Sequence, residues 1–375
     1  MTTNIFHKRQ ETLRGLIKDS DLSGVGLNPG PDLTYMTGLD FHLMERPVVA
    51  IFPRSGEPVF ILPELEQAKL DSLPYPIRSF LFNEDTGTWT NVFKEALEDA
   101  GIVNGKLGII PRRLRILEQS YLLAAAPVME IESAQPILTQ LRRIKSDDEI
   151  KYMREAARIA ECALSSTIMA LKPGVTEKEI AGRLVGRLLQ EGSDPELPFF
   201  PIISFGENAA NPHATPSNRV LHPGDIILID WGASHKGYFS DITRVFAMGD
   251  LRPEIDQIAK FVEEANAAAR SVVKPGVSAS AVDQAARQVI EDSGYGEYFF
   301  HRTGHGLGLE AHEEPNISQF DQTILEPGMT FTIEPGIYLP KRGGVRIEDD
   351  IVVTDDGYES LSKASREMIQ LLIED

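Results

Sequence analysis

Apolar residues recur along this chain with two different periods. Near the start, Leu13, Leu16 and Ile17 repeat at helical spacing among charged neighbours, which predicts a surface helix. Short β-branched and aliphatic runs follow at Val25 to Leu27, Val48 to Phe52, Val59 to Leu62 and Leu107 to Ile110. These predict strands, with Pro53 to Pro58 as the turn between two of them. Helical periodicity returns over Glu64 to Leu73 and Thr90 to Ala100, so the first ~130 residues alternate strand and helix as an α/β domain does. Gln135-Pro136 marks a boundary, giving expected domains of residues 1–134 and 135–375. Ser146-Asp147-Asp148-Glu149 then reads as a capping box that opens a helix to about Ala170, its apolar face built from Ile150, Met153, Ala157 and Ala160. Thr176 to Glu179 caps the next helix in the same way.

Beyond residue 146 the pattern repeats itself. Leu221-His222-Pro223-Gly224 followed by Asp225 to Asp230 aligns with Leu325-Glu326-Pro327-Gly328 followed by Met329 to Glu334, an offset of 104 residues. Leu171-Lys172-Pro173-Gly174-Val175 recurs as Val273-Lys274-Pro275-Gly276-Val277. The region is therefore two related halves in tandem, each with a Pro-Gly turn, a short apolar strand and a closing acid. A pseudo-twofold axis between the halves would bring Asp230 and Glu334 together.

Composition narrows the choice of partners. A formal charge of −19 disfavours nucleic acid and anionic membrane surfaces, which call for Lys and Arg in excess. No run approaches the ~18 consecutive apolar residues of a membrane span, and the charged first 20 residues do not read as a signal or transit peptide. Cys162, the sole cysteine, reads as a small apolar residue on a helix face and has no partner for an internal disulfide, which fits a cytoplasmic protein.

Five residues carry the chemistry. Asp230 and Asp241 flank the turn Gly232 to Gly237, so a hairpin would set the two carboxylates opposite one another. Glu334 ends the matching strand. Strand alternation over Val345 to Glu348 puts Arg346 and Glu348 on one face and Val345 and Ile347 on the other. His305 stands among Gly304, Gly306 and Gly308, where glycine admits a tight bend; without an acidic ribose partner after a βαβ unit, the glycines do not read as a dinucleotide loop. Two carboxylates about 5 Å apart repel by roughly 3 kcal/mol at an effective dielectric of ~20. Four acids and one imidazole brought together therefore call for cations. The donor set suits hard or borderline ions, and two of them about 3.5–4 Å apart would activate a water for attack on a carbonyl.

The motifs Ile229-Asp230, Ser240-Asp241-Ile242-Thr243-Arg244, Gly304 to Gly308, Ile333-Glu334-Pro335-Gly336 and Arg346-Ile347-Glu348-Asp349, in this order, resemble those of the "pita-bread" metallopeptidases. That family includes methionine aminopeptidase, aminopeptidase P, prolidase and creatinase. The resemblance spans the whole chain. It implies an α+β fold: a C-terminal pita-bread catalytic domain of pseudo-twofold duplicated halves, preceded by a smaller α/β creatinase-like N-terminal domain. It assigns Asp230, Asp241, His305, Glu334 and Glu348 as ligands of two divalent metal ions, Mn²⁺ foremost, with Co²⁺, Fe²⁺ or Zn²⁺ as alternatives.

The same resemblance implies that His213, His301 and His312 contact substrate or developing charge, and that Glu334 also shuttles a proton. It further implies that Arg346 binds a substrate carboxylate and that Tyr338 hydrogen-bonds in the pocket. His222 and His235, by contrast, read as loop residues. The implied activity is hydrolysis of Xaa-Pro bonds by a homodimer, as a dipeptidase (prolidase) or an aminopeptidase P. Two other readings of the fold are a non-peptide hydrolase acting on creatine-like or ectoine-like molecules and a metal-free binding module. The intact ligand set disfavours the creatinase version of the first and, with the histidine trio, the second; the N-terminal domain and Arg346 disfavour methionine aminopeptidase.

Overall fold

The first amphipathic segment folds as Ile5–Lys18 (α1), with Leu13 and Ile17 fully buried. The computed structural model describes residues 5–71 and 73–372, which divide into two compact units, one up to Arg142 and the other from Arg143. In the first unit α1 leads to Gly24–Leu27 (β1), Pro31–Thr37 (α2), Val49–Pro53 (β2) and Val59–Pro63 (β3). There follow Gln67–Leu70 (α3), Arg78–Phe82 (β4), Thr86–Asp99 (α4), Lys106–Ile109 (β5), Ile116–Ala125 (α5), Glu130–Ser133 (β6) and Gln135–Arg142 (α6). The helix expected over Glu64 to Leu73 is a 3₁₀ turn at Glu64–Glu66 followed by α3; Ser72 lies outside the described residues. Helix α4 starts before Thr90 because the Asp85 carboxylate caps it, accepting from the Gly87 N–H at 3.0 Å.

The strands form one mixed sheet in the order β4-β3-β2-β1-β5-β6, with β1 antiparallel to β2 and parallel to β5. Phe82, Trp89, Phe93, Leu97, Leu107 and Leu122 pack together in a core of this unit. The first unit extends past the expected boundary at 134/135 to include α6. Leu138 of α6 is fully buried, and Arg142 closes a buried ion pair with Asp32 at 2.6 Å.

The second unit begins with Asp147–Ile168 (α7) and Glu177–Gln190 (α8), each opened by the capping box anticipated at Ser146 and Thr176. Then come Ile202–Phe205 (β7), Ile226–Trp231 (β8), Ser234–His235 (β9), Tyr238–Phe239 (β10) and Ile242–Met248 (β11). The second half repeats the helix pair as Pro253–Val272 (α9) and Ala279–Asp292 (α10). Its strands are Gly304–Gly306 (β12), Glu313–Ile317 (β13), Thr330–Ile333 (β14), Gly336–Leu339 (β15), Gly343–Arg346 (β16), Asp349–Val353 (β17) and Tyr358–Ser360 (β18). Ile369–Leu371 (β19) returns to pair with β11.

Two sheets result, β19-β11-β8-β7 and β13-β12-β14-β17-β18, with the ribbons β9-β10 and β15-β16 beside them. The duplication extends to individual hydrogen bonds. Gly174 N–H donates to the Leu221 carbonyl at 3.0 Å, and Gly276 N–H to the Leu325 carbonyl at 2.9 Å. Gly224 and Gly328, at the head of the two repeated strands, both have φ +86°, a left-handed conformation open to glycine at little cost. A bridge between Thr243 and Glu348 joins the halves at the level of the acids. Beneath them Val262, Ala265, Phe331, Ile333, Val345 and Ile347 share one apolar core. Among the described residues no helix is long and apolar enough to cross a membrane.

Candidate metal centre

The two halves deliver their acids from matching places. Asp230 lies near the end of β8, where it pairs with Thr243 of β11. It does not stand directly opposite Asp241: Trp231 pairs with Ile242, so Asp241 precedes β11 and lies one diagonal step from Asp230 on the same face. The connection between the strands is itself a small ribbon, β9-β10, turning at Lys236 and Gly237 with φ of 51° and 78°. From the second half Glu334 follows β14, and His305 lies at the centre of β12. The glycine beside that histidine allows close backbone approach, since a Cβ on Gly304 would collide with the Thr332 carbonyl oxygen. As strand alternation predicts, Val345 and Ile347 enter the core while Arg346 and Glu348 face the acids.

Asp241, His305 and Glu348 each place a ligand atom within 4.8 Å of the others, and all three are buried. His305 Nε2 is 3.4 Å from Glu334 Oε1 and 3.7 Å from Asp241 Oδ2. Asp230 Oδ2 accepts from Arg346 Nη2 at 2.5 Å. The other carboxylate oxygens, Oδ1 of Asp230 and Oδ1 of Asp241, are buried without a hydrogen-bond partner. Unpaired buried acceptors are costly, and aimed into a nest of acids they are what a cation would satisfy. The residues present therefore fit a divalent metal site.

Electrostatics agree. Burial, with Glu348, Asp230, Asp350 and Glu334 nearby, raises the Asp241 carboxyl well above its ordinary range. Burial and the facing Glu334 and Asp230 do the same to Glu348. Burial raises Asp230 against the opposing pull of Arg346, and it pushes Glu334 up to about 7. His305 is driven well below its ordinary value by burial, then by His312 and Arg302, so it stands as the neutral imidazole that a metal requires.

Arg346 is joined to the site by several hydrogen bonds. Its fork, 2% exposed, is already engaged: Nε donates to Thr243 Oγ1 at 3.0 Å, Nη1 to the Tyr338 hydroxyl at 2.9 Å and the Pro212 carbonyl at 3.4 Å, and Nη2 to Asp230. These bonds make the guanidinium a brace between Thr243, Tyr338, the Pro212 carbonyl and Asp230. Tyr338, accepting from Arg346, donates to His301 Nε2 at 2.9 Å. His301 Nδ1 lies 2.7 Å from the Arg302 carbonyl, an obligate acceptor, which assigns the ring proton to Nδ1. Burial holds this imidazole neutral, down at about 4. His301, Tyr338, Arg346 and Asp230 thus form one buried chain.

His312 is exposed, and its ring lies 4.2 Å from that of His305, edge to face. His213 is exposed too, on the loop whose Pro212 carbonyl meets Arg346.

Three contributors escaped the sequence reading. The Thr243 hydroxyl donates to Glu348 Oε2 at 2.6 Å, Asp350 accepts the Asp241 N–H at 3.1 Å, and Asn266 Nδ2 donates to the Ile333 and Ile347 carbonyls at 3.1 and 3.2 Å. Asn266 thereby braces the residues immediately before Glu334 and Glu348. A lone amide beside Val262, Ala265 and Ala269 on a buried helix face was the available signal.

Residues 151–355 match the model of metallopeptidase family M24, and residues 9–144 match that of the Creatinase/Prolidase N-terminal domain. The chain belongs to metallopeptidase family M24. Among solved structures of its relatives, a dipeptidase from Pyrococcus horikoshii OT3 is 38% identical with a TM-score of 0.90, over 97% of this chain and 100% of that one. A prolidase from Thermococcus sibiricus is 34% identical with a TM-score of 0.92, over 99% and 100%. A Xaa-Pro dipeptidase from Bacillus anthracis is 33% identical with a TM-score of 0.89, over 98% and 100%. The resemblance drawn from the motifs is thereby borne out at the level of the family and its two-domain architecture.

Proposed function

We propose that this M24 peptidase hydrolyses Xaa-Pro dipeptides at a centre of two divalent cations, Mn²⁺ foremost, held by Asp230, Asp241, His305, Glu334 and Glu348. The observation that carries this reading is the buried chain His301–Tyr338–Arg346–Asp230, which ties two residues matching the proline-specific branch directly to the ligand cluster. The prolidase and Xaa-Pro dipeptidase likenesses over nearly the full chain support it. Four converging carboxylates support two cations, since a single divalent ion would leave half of their charge unbalanced.

Bound there, divalent ions supply Lewis acidity toward the scissile carbonyl and lower the pKa of water. Glu334 takes the proton from the attacking water as the C–O bond forms and delivers it to the prolyl nitrogen as the C–N bond breaks. His312 and His213, on the exposed side of the ligand cluster, donate to the substrate and to the charge developing on its carbonyl oxygen. Arg346 and Tyr338 hold Asp230 and His301 in place. The cytoplasmic homodimer implied by the resemblance belongs to the same proposal, and light scattering of the purified protein tests the dimer.

The test of activity is hydrolysis of Ala-Pro, Ala-Pro-Ala and Ala-Ala by manganese-loaded protein, each repeated after chelation. Chelator-sensitive cleavage confined to Ala-Pro is the expected result. Preference for Ala-Pro-Ala would make the protein an aminopeptidase P, and inactivity on all three would overturn the prolyl reading.

A further inference from the structure

The segment Phe299 to Thr303, which carries His301 and leads into His305, lies outside any helix or strand. Its polar backbone groups turn instead to one ion pair on α10. Asp283 is fully buried and takes Arg287 in a two-pronged grip, Oδ2 from Nε at 2.9 Å and Oδ1 from Nη2 at 3.0 Å. Arg287 spends its remaining donors on the segment, Nη1 to the Phe299 carbonyl at 3.1 Å and Nη2 to the His301 carbonyl at 2.9 Å. Its guanidinium also lies 4.3 Å from the centre of the Phe299 ring. Asp283 Oδ1 accepts from both the N–H and the hydroxyl of Thr303, at 3.1 and 2.8 Å. The Thr303 carbonyl in turn accepts the Glu334 N–H at 2.7 Å.

A single carboxylate–guanidinium pair therefore grips the backbone at Phe299, at His301 and at Thr303, and through Thr303 it reaches the backbone of Glu334. We infer that Asp283 and Arg287 are positioning residues: they set the places of His301 and Glu334 without touching metal or substrate. The inference rests on the roles given above to those two residues.

The test compares Arg287→Ala, Arg287→Lys and Thr303→Val with wild type, and with Arg154→Ala as a control for lost stability. Arg154 pairs with Glu359 in a half-exposed bridge of α7 outside the site. Three quantities are read: manganese affinity by calorimetry, kcat and KM on Ala-Pro separately, and Tm. Arg287→Ala weakens manganese binding and lowers kcat by about 10- to 100-fold, the usual cost of removing an outer partner of a metal ligand. KM changes little, because the residues that meet substrate remain. Arg287→Lys keeps the charge beside Asp283 and recovers part of the loss; Thr303→Val, which deletes a single hydroxyl, moves both quantities the same way by less.

The inference is overturned if Arg287→Ala binds manganese and turns over like wild type, or if Arg154→Ala at equal Tm shows the same losses. Should Arg287→Ala not fold, Thr303→Val decides on the same readouts. If the wild type itself cleaves no prolyl peptide, the proposed function falls, while the manganese titration still decides the positioning role.

Discussion

Glu334 makes the metal-free protein pay for its own active site as pH rises. In the native state its carboxyl ionises at about 7, against 4.5 for the unperturbed group, and burial is the first cause. Between those two values the native state holds a proton that the unfolded chain has released, so stability falls with increasing pH. The contribution is fully present below about pH 4.5 and lost once pH passes about 7; a shift of roughly 2.5 units corresponds to about 3 kcal/mol. His301 works in the opposite direction, because its depressed value makes the native state gain stability as pH rises from about 4 towards 6.5. The raw pH profile mixes these two with the raised carboxyls of Asp230, Asp241 and Glu348.

The difference between wild type and Glu334→Gln removes the His301 contribution, which both share, and reads Glu334 together with its effect on the neighbouring acids. Urea unfolding of chelated protein across pH 4.5 to 8 is expected to show that difference falling by about 3 kcal/mol against the wild type. With manganese present the trend reverses, since cations bind only the native ionised site and stabilise it. A wild-type-minus-mutant difference that stays flat or grows with pH in chelated protein would refute the burial argument.

Three further outcomes follow from named contacts. Asp241→Ala loses all bound manganese by elemental analysis, because Asp241 lies at the centre of the ligand cluster and its Oδ1 has no other partner. Arg346→Met weakens manganese binding and lowers kcat on Ala-Pro by about 10- to 100-fold, as its fork braces Asp230 and Tyr338; a raised KM for Ala-Pro with unchanged manganese affinity would support the substrate-carboxylate role instead. Asp32→Ala breaks the buried ion pair with Arg142, destabilising the first unit by up to about 3–5 kcal/mol in chemical unfolding while manganese affinity stays unchanged.

Local rules carried the reading of this chain a long way. The capping boxes at Ser146 and Thr176 form as anticipated, since a cap depends on residues three positions apart. The Pro-Gly repeat located the matching strands before Asp230 and Glu334, because sequence alone preserves a duplication. What stayed hidden depends on contacts between residues distant in the chain. Arg346 reaches Thr243 and Asp230 across the pseudo-twofold axis, so its neighbours at 345 and 347 say nothing of its partners. Helix α6 falls with the first unit for the same reason: the ion pair of Arg142 lies with Asp32, far outside any local window. The diagonal offset of Asp241 from Asp230 required the hairpin register, which spacing alone does not reveal.

The division of ligands between the halves also imposes an order on synthesis. Asp230 and Asp241 come from the first half, while His305, Glu334 and Glu348 come from the second, and the Thr243–Glu348 bridge closes only when both are present. A nascent or truncated chain that stops before Glu348 lacks part of the set and exposes the strand that awaits it. The full set of five residues proposed to hold the cations is therefore assembled only once translation has passed Glu348, so the stabilisation that bound cations would confer on the native state comes late in synthesis.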